Sequence, residues 1–174
     1  MNYRIVDTLN VSRECMVCGI DNPWGLRSRF YVADTGEVIA LFTPEWHHQS
    51  YPQILHGGIT AAVLDETIGR AIMPRADSRT FGVTVDLSVQ YKKPVPYGIQ
   101  LTAVGRITNQ KGRIFEGSGE LYLPDGSVAA TARGKYLRRP LDLFTDPTFI
   151  DRDWFKPDDF PAEIIIPDGC GEGG

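Results

Sequence analysis

No run of apolar residues approaches the ~20 needed to span a bilayer, and the opening Met1 to Asn10 is polar, without the apolar stretch of a secretion signal. The expectation is a cytosolic, hence cytoplasmic, protein with no membrane partner. Cysteine is also scarce. Cys15, Cys18 and Cys170 are too few and too unevenly placed for a disulfide framework, so reduced thiols are expected. Strong positive charge is absent: the formal net charge is -4. From Pro140 onward there are nine acidic and two basic residues, while residues 1 to 139 carry sixteen basic and thirteen acidic. A mildly basic body suits a phosphorylated small ligand, and the lack of any aromatic-basic motif argues against nucleic acid. No internal repeat appears either. With 174 residues and 42% hydrophobic content, one core is expected, in a domain of residues 1 to 139. Within it, residues 1 to 25 include a turn-rich segment, and residues 140 to 174 form an acidic tail.

What is present centres on the stretch from His56 to Met73, which reads as one buried helix with a glycine-lined mouth, closed by Pro74. Asp65 interrupts the apolar stripe Ala61, Ile68, Ile72. A buried carboxylate calls for a partner, a raised pKa or a wet cleft, so Asp65 is either catalytic or a structural acid bonded to backbone. Glu66 and Arg70, four apart, read as an exposed ion pair. Gly57 and Gly58 present free N–H groups at the positive helix end, able to hold an anion or a developing oxyanion, or else merely to permit a tight turn. His56 either takes part directly or holds the loop by a backbone hydrogen bond. Gly57 and Asp65 lie eight residues apart, about 12 Å along one helix axis, so one small reacting group cannot touch both. Two copies of the helix running antiparallel across a two-fold axis would bring them together, which requires at least a homodimer.

Around the helix the period changes. Leu26 to Ala33 and Val38 to Thr43 flank the turn Asp34 to Glu37, and a loop from Pro44 to Leu55 leads to the helix. After it, Val83, Val85, Leu87, Val89 and Tyr91 alternate with Thr84, Asp86, Ser88 and Gln90 as one strand with an apolar and a polar face. Ile99 to Thr108, Ile114 to Leu123 and Val128 to Leu137 give three more, joined by short turns. Short turns favour antiparallel neighbours, so the expected fold is α+β, one antiparallel sheet curled around the helix. Cys15-Met16-Val17-Cys18-Gly19 leaves three readings: half a zinc site completed by His47 and His48, a redox pair, or a packed turn. The tail, with Phe144, Phe149, Trp154, Phe155 and Phe160, is either disordered or a strap docked on the body.

The order of strands and helix, His56-Gly57-Gly58 with Asp65 nine residues after the histidine, and Val83-Thr84-Val85-Asp86-Leu87 followed by Tyr91-Lys92-Lys93-Pro94 together resemble the hotdog-fold acyl-CoA thioesterases of the phenylacetate-pathway (PaaI-like) group. The resemblance covers Gly25 to Leu137. It implies that Asp65 is the catalytic carboxylate, acting as base or nucleophile. It also implies that the Gly57 N–H of a neighbouring subunit polarises the thioester carbonyl and that the Thr84 hydroxyl positions water. Relatives often carry asparagine six residues before the motif histidine, where this chain has Ser50. The group binds the nucleotide of coenzyme A through basic rim residues, for which Lys92, Lys93, Arg138 and Arg139 are candidates.

The implied function is hydrolysis of an acyl-CoA to free acid and coenzyme A, without metal or cofactor, by a homodimer or homotetramer. Ser50 motivates an alternative: a non-catalytic module that binds acyl-CoA or an acyl carrier.

Overall fold

In the computed structural model, which describes residues 1–76, 79–146 and 148–169, the alternating segments become strands in the expected order, with additions at both ends. The elements are β1 (Asn2–Thr8), β2 (Val11–Ser12), β3 (Arg29–Ala33), β4 (Val38–Phe42), β5 (Gln49–Tyr51), β6 (Ile54–Leu55) and α1 (Gly57–Arg70). They continue as β7 (Thr80–Tyr91), β8 (Leu101–Lys111), β9 (Ile114–Tyr122), β10 (Val128–Pro140), α2 (Phe149–Asp153), β11 (Trp154–Phe155) and β12 (Glu163–Ile165). Eight strands form one antiparallel sheet in the order β12-β1-β3-β4-β8-β9-β10-β7. Cys170 lies outside the described residues; Cys15 and Cys18 are free thiols.

Helix α1 packs on β7, β8, β9, β10 and β4. Thr60, Val63, Leu64, Thr67, Ile68 and Ala71 are buried, the three-and-four spacing of a helix face on a sheet. Burying each large apolar side chain among them contributes roughly 1.5–3 kcal/mol. Close approach is possible because β8 offers Gly105: a Cβ there would sit 2.7 Å from the Thr67 carbonyl oxygen. The helix ends at Arg70, and Pro74 occupies a following single turn, Met73–Arg75. Among the described residues, no helix is long and apolar enough to cross a membrane.

The tail is a strap. β12 pairs with β1, the Met1 ammonium donates to the Ile166 carbonyl at 2.7 Å, and Ile164 and Ile166 bury with Tyr3, Ile5, Ile39 and Val104 as a smaller second core. The polar start carries enough alternation at Tyr3 and Ile5 to form β1, but only β3 and the strap give that strand its neighbours.

β7 is the other edge. Its twelve residues have β10 as their sole strand neighbour among the described residues, while Val83, Val85 and Tyr91 stand exposed. A long apolar edge of this kind is a template for pairing with another strand.

Candidate active site

Asp65 sits midway along α1, half-buried against β7 and β10. The Thr84 hydroxyl lies 2.9 Å from Asp65 Oδ1 and 3.1 Å from Oδ2, and the Tyr136 hydroxyl lies 3.1 Å from Oδ1. Burial raises the Asp65 pKa above the ordinary carboxylate value, and the bonds from Thr84 and Tyr136 pull against that rise. The Tyr136 phenol is pushed well up, by burial first and then by the Asp65 charge, so it remains a donor. Oδ1 collects the two closest hydroxyls, which leaves Oδ2 the better placed oxygen to accept a proton.

How Thr84 reaches Asp65 corrects the simple alternation read from the sequence. Pairing of β10 with β7 runs Lys135 with Asp86 and then Tyr136 with Thr84, so Val85 is an extra residue, a bulge. The bulge reverses the phase of the strand. Leu87 and Val89 pack on the core and Tyr91 reaches Gly57, whereas beyond the bulge it is Gly82 and Thr84 that face the helix. Val83 and Val85, expected on the same face as Leu87, are therefore exposed. Tyr136 was not foreseen. The available signal was its place on the inward face of β10 after Ala130, Ala132 and Gly134, small residues that leave room beside the helix.

At the helix mouth His56 is the N-cap. Its Nδ1 accepts the Gly58 N–H at 2.9 Å, and its own N–H donates to the His48 carbonyl. This capping bond engages the Gly58 N–H, whereas among the described residues no protein acceptor meets that of Gly57. Tyr91 fixes the first residue of the helix by donating to the Gly57 carbonyl at 2.7 Å. Within one chain the Gly57 N–H and the Asp65 carboxylate thus stand at separate places on α1, as the spacing requires.

Glu66 and Arg70 are not the exposed pair expected from their spacing. Arg70 is 4% exposed, with Nη2 2.6 Å from Glu66 Oε1, Nη1 donating to the Asn10 carbonyl and Nη2 3.2 Å from Cys18 Sγ. Its guanidinium lies between the Phe30 and Trp154 rings, 4.2 and 5.4 Å from their centroids. The N-terminal segment and the tail both close over this end of the helix, which a helical spacing rule cannot register.

That closure makes a cavity of about 490 Å³, lined by Asp65, Thr84, Cys15, Phe81, Phe149 and Trp154. The tail therefore walls the space onto which Asp65 opens. The remaining candidates are dispersed. Ser50 is exposed on β5. Lys92 and Lys93 follow the end of β7, where both backbone N–H groups bond the Ala129 carbonyl; Arg138 and Arg139 pair with Gly82 and Phe81 at the other end. Nine residues of strand separate Gly82 from Tyr91, about 30 Å, so one chain does not bring Arg138 to the lysines. His47 and His48 do not complete a zinc site. His48 Nδ1 accepts the Glu45 N–H and Nε2 bonds the Trp24 carbonyl, while His47 packs edge-on against Trp24 and Trp46.

An antiparallel sheet curled against one long central helix defines the hotdog thioesterase fold. Residues 52–130, from the helix mouth into β10, match the family described as Thioesterase superfamily. The chain is 34% identical over 67 residues to acyl-coenzyme A thioesterase THEM4 of Rattus norvegicus, covering 38% of this chain and 27% of that protein. It is 30% identical over 99 residues to an uncharacterized protein of Schizosaccharomyces pombe, 56% of each. The chain thus spans about half or less of these relatives' length. Among solved structures, the thioesterase superfamily protein RHA08564 superposes with a TM-score of 0.65 at 27% identity, over 72% of this chain and 60% of that one. The likeness to the thioesterase superfamily thus rests on residues 52–130, which hold the helix and the strands that follow it.

Proposed function

We propose that the protein hydrolyses an acyl-CoA thioester to the free acid and coenzyme A. The observation that carries this reading is the Asp65 carboxylate, held at the cavity by Thr84 and Tyr136 with Oδ2 left to accept. Asp65 takes a proton from water, and the resulting hydroxide oxygen bonds to the thioester carbonyl carbon. The carbonyl oxygen becomes negative and accepts from the Gly57 N–H. Collapse breaks the carbon–sulfur bond, and the leaving thiolate recovers the proton from Asp65. The acyl group occupies the apolar cavity under the tail.

The two halves of this site come from two copies. The exposed β7 edge supports the assembly, because pairing it antiparallel with the same edge of a second copy would set the Thr84 end of one strand beside the Tyr91 end of the other. Asp65, bonded to Thr84, then faces the partner's Gly57 mouth, and Arg138 of one copy joins Lys92 and Lys93 of the other on one basic rim for coenzyme A phosphates. Supporting the substrate class are the likeness of residues 52–130 to the thioesterase superfamily and the distant likeness to an acyl-coenzyme A thioesterase.

The test is a panel of acyl-CoAs, short, long and aromatic, read by thiol release from the parent protein and from Asp65→Asn. Release by the parent and its loss in the variant is the expected result. Equal rates in both sink the catalytic assignment. Thermal stabilisation by acyl-CoA with no thiol released would instead assign the chain to the binding module that Ser50 motivates.

A further inference from the structure

The motif that hydrolysis leaves unused is Cys15-x-x-Cys18-Gly19. Its turn is closed by the Gly19 N–H on the Cys15 carbonyl at 2.8 Å, and a Cβ at Gly19 would lie 2.7 Å from the Cys15 nitrogen. The following Asn22-Pro-x-Gly-Leu run braces it: Leu26 N–H bonds the Met16 carbonyl and Ser28 N–H the Val17 carbonyl. Both sulfurs and a Glu66 carboxylate oxygen fall within 4.8 Å of one another.

The two thiols are not equivalent. Cys15 is half-buried, faces the cavity, donates to Glu66 Oε2 at 3.5 Å and accepts the Val17 N–H at 3.3 Å. Cys18 is 1% exposed beneath it, with Arg70 Nη2 at 3.2 Å and Ser12 Oγ at 3.7 Å. A bond from the Cys18 thiol, aided by backbone N–H groups, lowers the Cys15 pKa to about 7, while Cys18 is pushed up by that same bond and by burial. Three donors so close could also hold a metal ion. Here, however, the Arg70 guanidinium already neutralises Glu66 and touches Cys18, supplying the positive charge a cation would bring.

We infer that Cys15 and Cys18 form a thiol–disulfide exchange site opening on the cavity beside Asp65, with a low-molecular-weight disulfide as its reactant. Cys15 thiolate attacks one sulfur of the disulfide; its sulfur–sulfur bond breaks and one thiolate leaves. Capping Cys15 removes the neighbouring thiolate that raises the Cys18 pKa, and the Arg70 guanidinium, 3.2 Å from Cys18 Sγ, stabilises the Cys18 thiolate. Cys18 then attacks Cys15 Sγ and expels the second thiolate. The protein dithiol is oxidised by two electrons to a disulfide, and the small disulfide is reduced to two thiols.

The experiment uses the full chain carrying Cys170→Ser, with glutathione disulfide as probe, read by intact mass and peptide mapping. The protein with both cysteines is expected to lose two hydrogens and keep no adduct. Adding Cys18→Ser, or Cys18→Ala if serine is not tolerated, is expected to trap one glutathionyl group on Cys15, and Cys15→Ser to trap none. Alkylation of Cys15 in the unmodified pair is expected to rise with a midpoint at about 7, below the ~8.5 of an ordinary thiol. A stable adduct on the unmodified pair, first attack at Cys18, two unreactive thiols in the folded protein, or stoichiometric zinc that blocks reaction would each overturn the inference. None of these readouts depends on thioester hydrolysis.

Discussion

Thr84 and Tyr136 are register partners across β7 and β10, next to the bulge at Val85, and both hydroxyls converge on the carboxylate of Asp65. Each supports the ionised carboxylate. A hydrogen bond to a charged group contributes about 1.5–3 kcal/mol, and one pKa unit corresponds to about 1.4 kcal/mol. Thr84→Val or Tyr136→Phe should therefore move the acid limb of kcat/KM upward by about 1–2 pH units. The pH–rate profile of each variant measures this, and an unmoved limb would show that these hydroxyls do not set the carboxylate.

Asp65→Asn separates activity from stability. Loss of a general base lowers turnover by about 10²–10⁴-fold. Because burial raises the Asp65 pKa, the native carboxyl binds a proton more readily than the unfolded chain does, so stability falls as pH rises through the window between the two values. The amide removes that cost. At neutral pH the variant is expected to melt at or above the parent temperature, with the difference vanishing at acid pH where both states are protonated. Melting curves across pH check it.

His56 distinguishes a cap from a catalyst. His56→Ala deletes the acceptor for the Gly58 N–H and should cost about 1 kcal/mol, whereas asparagine, a strong N-cap, should restore stability. If His56 acts only as the cap, His56→Asn keeps both Tm and turnover. A stable but inactive His56→Asn protein would assign the imidazole a chemical role.

The β7 edge tests the assembly. Val83 and Val85 are 37% and 62% exposed and belong to neither hydrophobic core, so lysine at both places like charges along the edge, with Val83 also at the cavity wall. Light scattering is expected to show a dimer for the parent and a monomer for the double variant, with thiol release lost on dissociation. An active monomer would remove the need for a shared site.

Glu66 tests the buried cluster. Glu66→Gln leaves Arg70 without its carboxylate under the tail, and breaking a buried pair this way costs about 3–5 kcal/mol. Urea denaturation should show a loss of that order, because Glu66 keeps only part of its side chain in water. A loss under 1 kcal/mol would mean the pair behaves as a surface one.

The sequence by itself determined the helix, because apolar residues at helical spacing between a glycine mouth and Pro74 admit little else, and it determined the strands that follow, whose alternation has one period and short turns. Asp65 was legible as a carboxylate on an apolar stripe, and the resemblance supplied Thr84. Tertiary structure decided the rest. Periodicity assumes an unbroken pleat, so it set Thr84 on the wrong face until the bulge at Val85 reversed the phase. Spacing rules see one helix at a time, so Glu66 and Arg70 read as solvated although segments from both chain ends, more than fifty residues away, bury them. Tyr136 meets Asp65 across seventy-one residues, and the tail walls the cavity where Trp154 of β11 pairs with Ser12 of β2. Local pattern encodes which residues seek burial; only the folded chain settles which of them bury one another.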